Sequence, residues 1–363
     1  MFRGGRTLFA AKALVQGACV ALVALAGTVP ASAQTKIRYL LTSPSPNVAE
    51  AAHSSVPAAL GYWKNAGLDV EVKPFSGSTG ATQVVVSGSA EFTMGSPEGL
   101  LVGIQEGAKI KAVYNHTREA IYTIAVVKDS SIKQLADFKG KTIGVLSLSS
   151  GATAVAKAML RGIGLDPEKD VKWLPVGLGP QTANALKSNQ VDAIAMWDWA
   201  YATLENLGFQ FRHFTTPQTA SLLSLMLITN DNFLNANRKA AVDFAQGIAK
   251  GALFALTNPE AAVRIHWATY PASKPTNIPE DQALKEAVHV LQARLDKYRI
   301  EKRKDPRFGA FLPDEWKSTQ SFFFDVGMLK AKPDVSVYYT NDLIDDINKF
   351  DKAAIVKQAE TYK

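Results

Sequence analysis

The sequence predicts a two-lobe α/β fold, on three observations. Short β-type runs alternate with helix-type runs from residue 36 onward, the order restarts near residue 141, and the two sets keep nearly the same spacing. Alternation of this kind builds a sheet covered by helices, and repetition of the whole order implies two such lobes in tandem. The composition permits it. Of the 363 residues, 47% are apolar or aromatic and 20% charged, enough for two buried cores of domain size.

In the first set, KIRYLL (36–41), DVEVKPF (69–75), EFTMG (91–95) and IKAVYN (110–115) read as strands, rich in β-branched and aromatic residues. Helical patterns lie around 54–66, 79–88 and 97–106. In the second set, KTIGVLS (141–147), VKWLPVG (171–177), VDAIAMW (191–197) and FQFRHF (209–214) read as strands, with helices near 151–163, 180–189 and 199–206. Two further β-type segments, IYTIAVVK (121–128) and SLLSLMLITND (221–231), are expected to cross between the lobes as a hinge. Lobe one is then expected to comprise 34–125 and 226–363, and lobe two 126–225. The remainder reads as helical: Val242, Ala245, Ala249, Ala252 and Leu256 recur at three- and four-residue steps, and Asn258-Pro259 ends that run. These late helices are expected to pack on lobe one.

The first 33 residues read as a secretory leader. Arg3, Arg6 and Lys12 precede the apolar run ALVQGACVALVALAG (13–27), and Ala31-Ser32-Ala33 offers a cleavage site. Cleavage there removes the one cysteine, Cys19, and lowers the formal charge of +7 by three. Neither a disulfide nor a thiol nucleophile is then expected in the mature chain. Basic residues are scattered apart from YRIEKRKDPR (298–307), a solvated loop by composition, so nucleic acid is not an expected partner.

Two similar turns carry the chemistry. STGAT (78–82) and SSGAT (149–153) each follow a β-type run and open a helix-type one. Small hydroxyl residues there cap the first helical N–H groups, and the same N–H groups can receive a small acidic group if both turns face one cleft. Neither turn has the lysine of a phosphate loop, and no GxGxxG, GxSxG or HExxH pattern occurs. Glu91 and Asp192 begin equivalent strands, at the end away from that cleft, which argues against paired acid–base work.

The segments SVPAALGYWKNAGLDVEV (55–72), SGSAEFTMGSPEGLL (87–101), VVKDSSIKQLADFKGKTIGVL (126–146) and LKSNQVDAIAMWDWAYATLE (186–205) resemble the periplasmic solute-binding proteins of ABC importers for nitrate, sulfonates and taurine, grouped with the NMT1/THI5-like thiamine-precursor proteins. That resemblance implies the type II periplasmic-binding-protein fold, with a ligand held between lobes that close about a two-segment hinge. Carried over by position, it implies contacts from the loop Ser43 to His53, from Ser78 and Thr79, from Ser96, and from Ser149, Ser150 and Gly151. Many relatives have Trp-Asp-Pro where this chain has Trp197-Asp198-Trp199, and the absent proline frees the loop's φ and restores an N–H.

Trp197, Asp198 and Tyr201 have two readings. The rings can wall a pocket in which Asp198 meets a ligand ammonium, or Trp197 and Tyr201 are core residues with Asp198 as the helix cap. His53 and His116 stand near the mouth of the cleft, without a metal-ligand partner at the usual spacing. The thiamine-pyrimidine synthases of the same broad group carry a cysteine-rich motif that is missing here, so no enzyme activity and no cofactor are expected. The function expected is that of a secreted periplasmic monomer that captures a small anionic or zwitterionic organic solute, sulfonate or taurine-like, and delivers it to the membrane permease of an ABC importer. A ligand-binding sensor module, or an aromatic carboxylate or thiamine-pyrimidine precursor as the solute, stands as the alternative.

Overall fold

The computed structural model describes Met1, residues 34–298 and residues 304–362. The leader expected over 1–33 and the middle of the basic loop at 298–307 fall largely outside the described residues. Among the described residues no helix is long and apolar enough to cross a membrane.

The first lobe is built on β1 (Thr35–Leu40), β2 (Leu68–Lys73), β3 (Phe92–Gly95) and β4 (Ile110–Asn115), with α1 (Ser55–Ala59), α2 (Ser78–Val86) and α3 (Pro97–Gln105) between them. The second is built on β5 (Tyr122–Val127), β6 (Thr142–Val145), β7 (Lys172–Pro175), β8 (Ala193–Trp197) and β9 (Phe211–Phe214), with α4 (Gly151–Gly162), α5 (Pro180–Lys187) and α6 (Asp198–Asn206). After α7 (Pro217–Ala220) the chain returns as β10 (Met226–Asn230). It continues through α8 (Asp231–Ala236), α9 (Arg238–Thr257), α10 (Pro259–Thr269) and α11 (Glu280–Leu295), then α12 (Pro313–Asp325), α13 (Ile344–Ile347) and α14 (Lys352–Glu360). Proline opens α3, α5 and α10, where its missing N–H costs nothing, and the Asn258 side chain caps α10 at Ala261 N–H.

Both lobes use one strand order. The first sheet runs β2-β1-β3-β10-β4 and the second β7-β6-β8-β5-β9. In each, the fourth position holds the strand that has just arrived from the other lobe, antiparallel to both neighbours. Segments 121–128 and 221–231, expected as hinge crossings, thus each supply a sheet strand, and the expected boundary at residue 125 moves. Residue 125 lies inside β5, which pairs with β8 and β9, so the first crossing ends before Tyr122. The crossing proper is a pair of adjacent segments: His116 and Thr117 N–H donate to Leu225 O at 2.9 and 3.1 Å, Leu225 N–H to Thr117 Oγ1 at 2.8 Å, and Ile121 N–H to Ser224 Oγ at 3.2 Å.

One expected helix is broken. Residues 54–66 form α1, a turn and a short 3₁₀ segment, because Gly61 sits at φ of 72° between them, and Gly67, at φ of 80°, ends the 3₁₀ segment. The core of the first lobe gathers Tyr39, Trp63, Phe92 and Phe244; Phe244 of α9 stacks on Trp63 and Phe92 at 5.0 and 4.6 Å between ring centres. Thus the late helices do cover lobe one. Helix α11 does more: it packs both on the 3₁₀ segment Val48–His53 of lobe one and on α6 of lobe two.

Candidate functional site

Between the lobes lies a pocket of about 410 Å³, measured out to its mouth. Its polar lining residues Ser43, Glu50, His53, Ser78 and Ser150 are each at most 4% exposed, and the two lobes touch at its rim. The cleft is therefore closed. Its walls come from the carboxyl ends of the parallel strands, the usual ligand position in open α/β sheets. Lobe one contributes Thr42, Ser43, Glu50, His53, Gly77, Ser78 and Met94; lobe two contributes Tyr122, Leu146, Ser150, Gly151, Trp197 and Trp199. The crossing segments add Ile121 and Leu225, and α11 adds Arg294.

Six of the residues expected from sequence line this space: Ser43, His53, Ser78, Ser150, Gly151 and Trp197. The two hydroxyl-rich turns do face one cleft, and they bond to each other across it. Thr79 N–H donates to Ser149 O at 3.3 Å, and Gly77, at φ of 99°, lies so close that a Cβ would stand 2.8 Å from that same oxygen. Neither Thr79 nor Ser149 lines the cavity, because each is engaged in closing its rim. Ser96 lies one layer deeper, fully buried, bonded to Ser78 and to Glu98.

Asp198 and Tyr201 are placed otherwise than the ligand reading expected. Both carboxylate oxygens of Asp198 accept from Arg294, Nε and Nη2 each at 2.7 Å, and Oδ1 also takes Trp199 N–H at 2.8 Å. Asp198 does not line the cavity, and its charge is already met by Arg294, so it is not placed to receive a ligand ammonium. Tyr201 is a core residue whose hydroxyl lies 2.9 Å from Thr123 O and 3.2 Å from Ile194 O, tying β5 to β8. Trp197 and Trp199 meet edge to face at 5.2 Å and form the aromatic wall.

Sequence reading missed Arg294, and covered Glu50 only as an unnamed member of the loop Ser43 to His53. The Arg294–Asp198 pair is only 2% exposed on either side chain and is a bidentate fork, the strongest geometry for such a pair. Burial alone would lower the Arg294 pKa, and the charge and hydrogen bonds of Asp198 raise it instead. Glu50 sits three residues into the 3₁₀ segment, where Oε2 takes Asn47 N–H at 3.2 Å as half of a capping box, while Oε1 takes the Ser43 hydroxyl at 2.9 Å. Burial pushes its carboxyl up to about 7, against the hydrogen bonds and the Arg294 charge that favour ionisation.

Histidines line the inner side. Tyr39 OH bonds His53 Nδ1 at 2.7 Å and Tyr298 OH bonds His116 Nε2 at 2.9 Å, and the two rings meet at 4.7 Å. Burial pushes His53 down to about 3, His266 to about 4, and His116 well below the ordinary range. Each of these histidines is neutral when folded but takes up a proton when unfolded below its ordinary value of 6.5, so its contribution is present above 6.5 and is lost as pH falls toward the folded value. Glu50 works the other way, losing its contribution as pH rises from 4.5 through 7. Between pH 4.5 and 6.5 four histidines, counting His213, which burial also lowers, outweigh the two glutamates Glu50 and Glu98, which burial raises, so the urea midpoint is expected to rise across that window. A midpoint that is flat or falls would show these rings to be solvated.

Among the described residues no group of three histidine, cysteine or acidic side chains is placed to hold a metal ion. Glu91 accepts from Arg38, and Asp192 from Thr142 N–H at 2.8 Å; both tie strand starts far from the cleft.

The NMT1/THI5 like family model matches residues 51–262, and the chain belongs to that family. A Brucella abortus (strain 2308) protein named as a binding protein is 28% identical over 145 residues, 40% of this chain; the match spans 43% of the Brucella protein's length. A solved structure from Bordetella bronchiseptica RB50 is similar over 87% of this chain and 98% of its own, with 23% identity and a TM-score of 0.69. The alkanesulfonate-binding protein SsuA of Xanthomonas axonopodis pv. citri, solved bound to MOPS, is similar over 85% of this chain and 98% of its own, with 16% identity and a TM-score of 0.59. At these identities the likeness is one of fold, the type II periplasmic-binding-protein fold of two lobes.

Proposed function

We propose that the chain is the exported solute-binding component of an ABC importer, which captures a small organic solute between its lobes and presents it to a membrane permease. The observation that carries this reading is the closed cleft itself. Buried polar groups from both lobes face a common space at the carboxyl ends of two sheets, and two hinge segments are the chain's covalent links across it. The family and the SsuA fold likeness support the same reading.

Closure is the working step. In the open form solute reaches the lobe-one wall at Ser43, Glu50, His53 and Ser78; lobe two then brings Ser150, Gly151, Trp197 and Trp199 over it. The free energy of closure comes from contacts made only in the closed state, such as Thr79 to Ser149. Of the anionic and zwitterionic solutes expected from sequence, the zwitterion suits this wall better, since it places one acid, Glu50, beside an arginine already paired.

Thermal shifts of protein refolded without carried-over ligand test the reading, using sulfonates, taurine, nitrate, aromatic carboxylates and pyrimidines. A solute at about 100 times its Kd adds roughly 2.7 kcal/mol and is expected to shrink the radius of gyration by closing the lobes. Absence of any saturable shift across that panel, together with no small molecule released when the purified protein is denatured, would remove the proposal.

A further inference from the structure

The charges around the cavity are unequal in what they still offer. Two charged side chains line it, Arg294 and Glu50. Arg294 is held by Asp198 through two hydrogen bonds, and the guanidinium is neutralised before any solute arrives. The other anion-attracting elements, the starts of α2 at Ser78 and of α4 at Gly151, lie against one carboxyl: Ser78 Oγ donates to Glu98 Oε1 at 3.3 Å, and a Cβ on Gly151 would stand 2.8 Å from that same oxygen. At each position where an anionic solute would gain most, the protein has placed its own acid.

Glu50 is the complementary case. Its partners are a hydroxyl and a backbone N–H, so no cation is bonded to it, and each carboxylate oxygen keeps a lone pair beyond the one in use. His53, 1% exposed and on the same wall, leaves Nε2 without a hydrogen-bond partner. Trp197, Trp199 and Tyr122 complete a lining that adds no further charge.

Resting on the importer reading above, we propose that Glu50 is the specificity-determining residue of the cleft: it accepts N–H groups from a small nitrogenous solute of zero or positive net charge, and solutes that are anionic overall are refused. The groups facing Glu50 agree with this. Tyr39 and Tyr270 are uncharged phenols, Ser43 is a donor, His53 and His266 are neutral, and Arg294 is paired. A buried carboxyl held near neutrality by desolvation returns to its ionised form when an ammonium or amidinium reaches it.

Two pairs of probes matched in shape test the assignment by calorimetry: taurine with isethionate, which differ in one ammonium, and benzamidine with benzoate. At about 10 mM, enough to saturate a Kd of about 1 mM nearly fully, the N–H-bearing member of at least one pair is expected to bind at least about tenfold tighter, or about 1.4 kcal/mol. In Glu50→Gln that ratio is expected to fall toward unity. Equal or tighter binding of isethionate and benzoate overturns the assignment while leaving a binding protein, as does a ratio that survives Glu50→Gln. Silence toward all four probes overturns it too, since an accessible acid on this wall must register such donors. The broader reading is lost only if the wider solute panel and the released-ligand assay are also blank. The wild-type ranking stands even if the Gln variant folds poorly.

Discussion

Replacing Asp198 with alanine is expected to destabilise the folded chain by about 3–5 kcal/mol, because it strands a buried guanidinium. Arg294 is 1% exposed and reaches solvent nowhere along its fork; its two 2.7 Å bonds both end on Asp198. The cost is asymmetric. Removing one partner leaves an unpaired charge, whereas replacing both, as in Arg294→Met with Asp198→Leu, is expected to be near neutral or mildly stabilising. Urea denaturation of the three proteins reads the difference directly. The pair also bridges parts of the chain 96 residues apart, beside a second tie in which Asn206 Nδ2 donates to Glu286 O at 3.0 Å. If the pair is broken and hydrated whenever the cleft opens, Asp198→Ala will cost less than about 1 kcal/mol in stability and its effect will fall on solute affinity instead. That outcome would turn a structural pair into a closure contact.

The alternation of strands and helices was readable because each element is defined by its neighbours: the β-branched run of β5, the small hydroxyl start of α4, the proline at the start of α3. What could not be read was where the sheets exchange strands. Segments 121–128 and 221–231 look like any apolar strand, and only the pairing of β5 with β8 and of β10 with β3 shows that each is inserted into the lobe it enters. The site was half legible for a similar reason. Serines and glycines at strand ends announce themselves locally, and six of them or their neighbours line the cleft. Arg294 is distant in sequence from Asp198, yet a signal existed: Leu284, Ala287, Leu291 and Arg294 share one buried stripe of α11, and an arginine on an apolar stripe must have a counter-ion. Glu50 was equally marked, as an acid amid VAEAAH and three residues after a capping asparagine. The capping role was legible; its second role as cavity wall depends on the fold. Asp198 shows the reverse case. Its setting among aromatic rings left a ligand contact and a helix-start role both open, and the partner that satisfies it comes from a helix whose position no local pattern encodes.

Gly151→Val is expected to weaken solute binding by about a hundredfold or more, about 2.7 kcal/mol, while leaving each lobe folded. Gly151 is the first residue of α4 and has ordinary helical backbone, so valine brings no left-handed strain. The obstacle is across the cleft. A Cβ there would stand 2.5 Å from Ser96 Oγ and 2.8 Å from Glu98 Oε1, both carried by lobe one, and 2.8 Å from Tyr122 OH. Side chains do not tolerate such approaches, and Ser96 and Glu98 are buried with Ser78 in one hydrogen-bonded cluster that has little room to give. The relief available is for the lobes to part, which forfeits the contacts that drive closure. Small-angle scattering with the solute that most stabilises the wild-type protein is then expected to show Gly151→Val remaining extended where wild type contracts. Adding Ser96→Ala removes the nearest clashing atom, and a gain in affinity in Gly151→Ala/Ser96→Ala over Gly151→Ala alone would locate the effect at this contact by a double-mutant cycle. Wild-type affinity in Gly151→Val would mean that the working closed state is wider here than the one described, and would shift the closing contact to the Gly77–Ser149 rim.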